Sequence, residues 1–212
     1  MKKSFYLTVV FALVLTIAAT VFFYVQIESK LSESPTDPNV AINKGMTKTV
    51  REPLPPINNA KIVIRKRKRI LELYSDKKLI RTYKIAFGSN PIGDKQVEGD
   101  GCTPLGEFYV FTKNDQSLFF LSLGVSYPNI EDAKRGLREG LITLEEHDAI
   151  VKAINEKTMP PQNTALGGQI YIHGGTNGAT SNWTQGCVAL DNEDMKEIFD
   201  AIPNQTAVII KP

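Results

Sequence analysis

The sequence predicts a predominantly β domain behind one membrane-spanning helix, with a helical region inserted among the strands. Three observations predict it. Strand-length runs rich in β-branched and aromatic residues recur from Lys61 onward. Clear helical periodicity is confined to residues 131–155. Met1-Lys2-Lys3 precedes an uncharged, mostly apolar run of 24 residues, 4–27, longer than the roughly 20 needed to span a hydrocarbon core.

That first run sets the expected topology. A cleaved signal peptide has an apolar stretch of only about 7–15 residues before a small-residue site. Ala18-Ala19-Thr20 imitates such a site, yet Val21-Phe22-Phe23-Tyr24-Val25 continues straight through it. Residues 1–27 are therefore expected to be an uncleaved signal-anchor, with Lys2 and Lys3 on the cytoplasmic side. The remainder is expected to face outward, in the periplasm or an extracytoplasmic space. Residues 28–59, rich in Ser, Asp, Asn and Lys and stiffened by Pro35, Pro38, Pro53, Pro55 and Pro56, read as a tether. Residues 60–212 form the expected domain, a length suited to one core. A net charge of +2 argues against a dedicated nucleic-acid binder, and two cysteines far apart exclude a CxxC metal site.

Within the domain, Lys61-Ile62-Val63-Ile64, residues 70–74 and residues 79–87 read as strands in a hairpin meander. The five cations from Arg65 to Arg69 between the first two read as a solvated turn. Residues 88–106 carry recurrent Gly and Pro and read as a long irregular loop. Strands resume at residues 107–111 and 118–123. In the helical region Leu144, Ile150, Val151 and Ile154 share a side, and Thr143 with Glu146 completes a capping box. This insert serves either as a lid or as packed decoration. His147, among Glu145, Glu146 and Asp148, reads as a solvated histidine. A further strand, residues 170–172, leads to His173.

Chemistry concentrates in residues 170–199. The chain has two histidines and two cysteines, and His173 and Cys187 bracket one Gly/Asn-rich loop here. A thiol of pKa about 8.5 is only a few per cent ionised at neutral pH, so a nucleophilic Cys187 needs a base. His173 is the candidate. Gly186 leaves the backbone beside Cys187 open, so that nearby N–H groups could form an oxyanion hole. Spacing alone leaves two alternatives open: Cys187 as a buried core residue, or as half of a disulfide with Cys102.

The residues Ile172-His173-Gly174, Thr184-Gln185-Gly186-Cys187-Val188-Ala189-Leu190 and Asn192-x-Asp194-Met195 resemble the signature of the L,D-transpeptidase (YkuD-type) catalytic domain. The run from Gly99 through Asp100, Thr103, Pro104 and Gly106 to Phe108 is similar to an upstream segment of that family, and Leu123-Gly124-Val125-Ser126-Tyr127-Pro128-Asn129 is a third match. The resemblance implies a β-sandwich with short helices and cysteine acyl transfer on peptidoglycan stem tetrapeptides with loss of terminal D-Ala. Hydrolysis by the same cysteine, or a non-catalytic peptidoglycan-binding module, are the alternatives. No metal or organic cofactor is implied. Cys187 matches the nucleophile, His173 the base, Gly174 the carbonyl that orients it, and Gly186 with Gln185 the surroundings of the oxyanion. Tyr127, Thr184 and Trp183 are the expected substrate contacts. Gln185 stands where many members have His, Ala189 where many have Arg, and Cys102 where Arg is common. The last admits a reversible Cys102–Cys187 disulfide as an off-switch.

Overall fold

The computed structural model describes residues 51–176 and 181–212. The expected anchor and most of the tether lie outside the described residues, as do Asn177 and Gly178 of the loop between His173 and Cys187. Residues Glu52–Pro212 form one compact unit. Its chain runs β1 (Lys61–Arg65), β2 (Ile70–Ser75), β3 (Lys78–Lys84), β4 (Gly106–Ser117), β5 (Phe120–Val125), α1 (Ile130–Arg138), α2 (Leu144–Asn155), β6 (Tyr171–Thr176), β7 (Val188–Asp191), α3 (Asn192–Ala201) and β8 (Ala207–Lys211).

The strands form one sheet in the order β3-β2-β1-β8-β4-β5-β6-β7. Pairing is antiparallel except at β1–β8 and β6–β7. The implied sandwich is thus a single sheet curled on itself. Ala86, just beyond β3, exchanges backbone hydrogen bonds of 2.9 and 2.8 Å with Ala189 of β7. This bridge brings the two edges together and nearly closes the sheet, which removes the unpaired edges that invite aggregation.

The pattern of the strands explains their places. β1 is flanked by β2 and β8, and its three central residues are buried regardless of face, as a continuous apolar run requires. Ile62, Ile64, Leu71, Leu73, Val110, Leu123, Ile172 and Leu190 meet in the principal core. Each contributes roughly 1.5–3 kcal/mol by leaving water. Leu54 and Ile57, within the stretch read as tether, also pack against this core.

Four expectations change. The cation run is a turn, but Lys66 is buried and donates to Gly93 O (2.6 Å) and Thr103 O (2.8 Å). Arg69 lies over the Phe87 ring, leaving Arg67 and Lys68 as the exposed pair. β4 continues through the polar residues 112–117 because β5 supplies its partners, out to Ser117 opposite Phe120. The insert has its own core of Ala133, Ile142, Ile150 and Leu166, while Leu144 is exposed because it begins the helix beyond that contact. Both helices carry capping boxes, that of α2 formed by Thr143 and Glu146 as expected. α3 and β8 were not anticipated. Met195 and Ile198 of α3, with Ile202 beyond it, lie in the principal core. Among the described residues no helix is long and apolar enough to cross a membrane.

Candidate active site

Sheet register brings the two chemical residues together. In the β6–β7 pair, Ile172 faces Val188 and His173 faces Ala189. Cys187 precedes β7 by one residue, and the Tyr171 N–H donates to its Sγ at 3.4 Å. Strands about 4.8 Å apart with a rise of about 3.3 Å put Cys187 and His173 diagonally across the pair, on one face. Both line a cavity of about 850 Å³.

His173 is 4 % exposed. Its Nδ1 lies 2.6 Å from Gly174 O; a carbonyl only accepts, so Nδ1 carries the proton and Nε2 the free lone pair. The turn that supplies this carbonyl is itself fixed. Gly175 N donates to Asn192 Oδ1 at 2.7 Å, and a Cβ at Gly174 would fall 2.6 Å from that oxygen. Phe119 covers the imidazole at 4.8 Å between ring centroids, and Trp183 meets it edge-on at 5.8 Å. Burial holds the imidazole below its ordinary pKa, against the opposing pull of the Gly174 carbonyl. The imidazole is therefore neutral at pH 7 and able to accept a proton.

Cys187 sits on a turn stapled by one hydroxyl. Thr184 Oγ1 donates to Cys187 O (2.7 Å) and accepts from Gly186 N (3.2 Å). Gly186 has φ +126°, and a Cβ there would lie 2.7 Å from Cys102 O, so no other residue fits. The thiol donates to Gln169 O at 3.4 Å. Gln169 adopts φ +55°, a region few non-glycine residues visit. Its N–H is held by Gln162 Oε1 at 2.7 Å, and Gln162 Nε2 donates to Tyr127 O and Pro160 O. Burial pushes the Cys187 thiol up, with the Tyr171 N–H and Lys95 pulling the other way. The resting pair is thus thiol and imidazole, rather than thiolate and imidazolium.

The loop between β3 and β4 forms a far more ordered wall than its composition implies. The Asp100 carboxylate accepts from the N–H groups of Gln96 (2.7 Å), Val97 (3.1 Å) and Cys102 (2.9 Å) and from Lys95 Nζ (3.0 Å). Burial alone would raise its pKa, but these donors together hold it below the ordinary carboxylate value. Lys95 is 1 % exposed and lines the cavity. Cys102 and Cys187 are both free: the Cys102 thiol lies 3.6 Å from Ile92 O, turned to its own loop. The structure contains no disulfide between them.

Of the expected site residues, Cys187, His173, Gln185, Thr184 and Trp183 all line the cavity. Gly174 and Gly186 act through backbone, although the Gly186 N–H is engaged by Thr184 rather than open to an oxyanion. Tyr127, expected among the substrate contacts, does not line the cavity. It is fully buried, and its hydroxyl donates to Leu166 O at 2.9 Å. The insert supplies no cavity residue either, since none of residues 130–157 lines it. The insert instead packs on a small core of its own. His147 pairs with Asp148 on the insert. Lys95, Phe119, Gln162, Gln169 and Asn192 escaped the sequence reading. Only Asn192 left a signal, lying within the motif after Cys187. Among the described residues no group of three His, Cys, Asp or Glu is placed to hold a metal ion.

Comparison with known proteins then defines the kinship. The fold resembles that of a variant of the helical cell shape determining protein Pgp2 from Campylobacter jejuni, with 23% identity and a TM-score of 0.51, covering 73% of this chain and 47% of that one. An L,D-transpeptidase from Xylanimonas cellulosilytica matches at 18% identity and a TM-score of 0.43, covering 76% of this chain and 65% of that one. The chain spans about half the length of the Pgp2 structure. No curated protein sequence matches it. The family model for the L,D-transpeptidase catalytic domain, YkuD, matches residues 59–210. With most of its folded unit covered by that match, the chain belongs to the YkuD family of L,D-transpeptidase catalytic domains.

Proposed function

We propose that the protein is a peptidoglycan L,D-transpeptidase working by cysteine acyl transfer. One observation carries the reading: a thiol and a neutral imidazole with a free Nε2 line the same 850 Å³ cavity. The membership in a family of L,D-transpeptidase catalytic domains supports the substrate class.

The reaction begins with a thiol bonded to Gln169 O. Rotation about the Cys187 Cα–Cβ bond turns it toward His173. Nε2 takes the proton as sulfur attacks the carbonyl preceding the terminal D-Ala of a stem tetrapeptide. The Tyr171 N–H, already directed at Sγ, stabilises the charge that develops there. Imidazolium returns the proton to the leaving amine, the C–N bond breaks, and D-Ala departs. An acceptor amine then attacks the thioester, His173 takes the acceptor's proton, and as the C–S bond breaks the imidazolium passes that proton to sulfur, which restores the thiol. With no thiolate at rest, the pair depends on proton transfer at the moment of attack.

In this reading residues 1–27 anchor the chain in the cytoplasmic membrane and the domain works on its outer side, where stem peptides are found. The test is incubation of the full chain with disaccharide-tetrapeptide, followed by mass spectrometry. Cross-linked dimer is expected. Tripeptide alone would replace transfer by hydrolysis, and an unchanged substrate that remains bound would reduce the domain to a binding module.

A further inference from the structure

The tip of the β4–β5 hairpin departs from what governs most hairpin tips. Leu118, Phe119 and Phe120 form it and are 98 %, 46 % and 41 % exposed, where Gly, Asn and Asp are the usual residues. Phe120 holds φ +75°, a conformation that a bulky residue rarely adopts. This turn lays Phe119 over β6, its ring 4.8 Å from the His173 imidazole with 32° between the planes. The approach depends on two absent side chains. A Cβ at Gly174 would lie 3.0 Å from Phe119 O and 3.2 Å from Phe120 Cβ, and one at Gly175 would lie 3.4 Å from Phe119 Cδ1. An apolar tip, a left-handed aromatic residue and a glycine pair converge on a single ring contact.

We propose that Phe119 is the positioning residue of the base: its ring fixes the plane of the His173 imidazole and screens that face from water. Nδ1 thereby keeps its bond to Gly174 O, and Nε2 remains the acceptor. This rests on the reading of His173 as the base.

A ring over an imidazole has two opposing effects. Screening disfavours imidazolium, whereas the electron-rich ring face attracts it. Screening prevails here because His173 is almost fully buried. Among the described residues, the neighbouring elements present mostly neutral groups to it. β5 presents Ser122 and β7 presents Ala189, in register with it. From the end of β7, Asp191 accepts from Thr176 Oγ1, and α3 contributes the neutral Asn192. The ionisable groups that share the cavity are Cys187, Tyr171, Lys95 and Glu98.

The experiment is an NMR titration of His173 in the full chain, with His147→Gln to leave one imidazole. Phe119→Ala, Phe119→Leu and Phe119→Tyr are compared. In Phe119→Ala the His173 pKa is expected to rise toward the ordinary value near 6.5. The acid limb of kcat/KM should rise with it, lowering activity on its acid side. Leucine, which covers without stacking, moves the titration less, and tyrosine restores it. An unchanged or lowered His173 pKa in both Phe119→Ala and Phe119→Leu overturns the proposal, even where melting temperature falls. The titration needs no substrate. A protein that shows the shift but leaves disaccharide-tetrapeptide intact refutes the transpeptidase reading alone.

Discussion

Two walls of one cavity are built on opposite physical terms. The wall from β3 to β4 is held by charge: Asp100 gathers three backbone N–H groups and the buried Lys95, and Lys66 ties down two carbonyls. The wall bearing Cys187 and His173 is held by neutral groups: a threonine hydroxyl, backbone carbonyls, carboxamides and aromatic rings. The difference follows from what each wall must do. An ionic clamp tolerates no later change of charge, so it suits a fixed frame. A neutral setting leaves a thiol and an imidazole free to exchange a proton: among the described residues the structure shows no carboxylate bonded to the imidazole and no cation bonded to the thiol.

The largest expected effect separates the two cysteines, one in each wall. Cys187→Ala should lower turnover by at least about 10⁴-fold, as loss of a nucleophile does, with melting temperature nearly unchanged. Cys102→Ala should leave kcat/KM within about twofold. Equal losses in the two variants would show that the walls do not divide the labour. Removing the ionic clamp comes next. Asp100→Ala strands Lys95 in the interior and should cost about 3 kcal/mol of stability, measured by urea unfolding of the full chain. If stability changes little, the charged wall is not the frame.

Thr184→Val keeps shape but deletes the hydroxyl that staples the Cys187 turn. A loss of about 1–2 kcal/mol and a kcat reduced about tenfold are expected, read by thermal melting and steady-state rates. Retained kcat would place the staple in folding only. The pH profile sharpens the neutral wall further. Since the His173 pKa is depressed, imidazole stays unprotonated as pH falls past 6.5, and the acid limb of kcat/KM should lie below that value. A limb above it would mean that an ion pair forms at rest.

The smallest effect lies outside both walls, in α1. Asp132 is 5 % exposed, and burial raises its carboxyl to about 7, against the pull of the Asn129 N–H. Asp94 and Glu131 raise it further and Arg135 opposes them. The folded state therefore binds a proton more tightly than the unfolded chain. Its contribution to stability is full below the unfolded value near 4 and is lost as pH rises through about 7. Asp132→Asn should flatten that decline, gaining on the order of 1 kcal/mol at pH 8. A melting temperature with the same pH dependence in both proteins would contradict it.

Much of this was legible in the sequence because it depends on local pattern. The first hairpins, the capping box at Thr143 and the closeness of His173 to Cys187 all follow from periodicity, turn residues and motif spacing. Tyr127 misled because a motif match says nothing about burial, and only the packed fold shows its hydroxyl spent on Leu166 O. Residues 88–106 form the irregular loop expected, but Gly and Pro could not show how firmly it is held; its order comes from Asp100 and Lys66 reaching across space. α3 is short and its N-cap residue Asp191 makes no side-chain capping bond, yet Met195, Ile198, Phe199 and Ile202 keep helical spacing that was there to be read. Phe119 left no trace, since its stack on His173 spans 54 residues of chain.

The bond from the Cys187 thiol to Gln169 O has a consequence for durability. Peroxide and foreign disulfides react with thiolate, so a sulfur kept protonated by its surroundings is slow to oxidise. On the outer side of a membrane, where the proposed function puts the domain, nothing like the cytoplasmic reducing pool protects a cysteine. If Cys187 is the nucleophile, as proposed, the same resting geometry that defers ionisation until substrate arrives would also preserve it between turnovers.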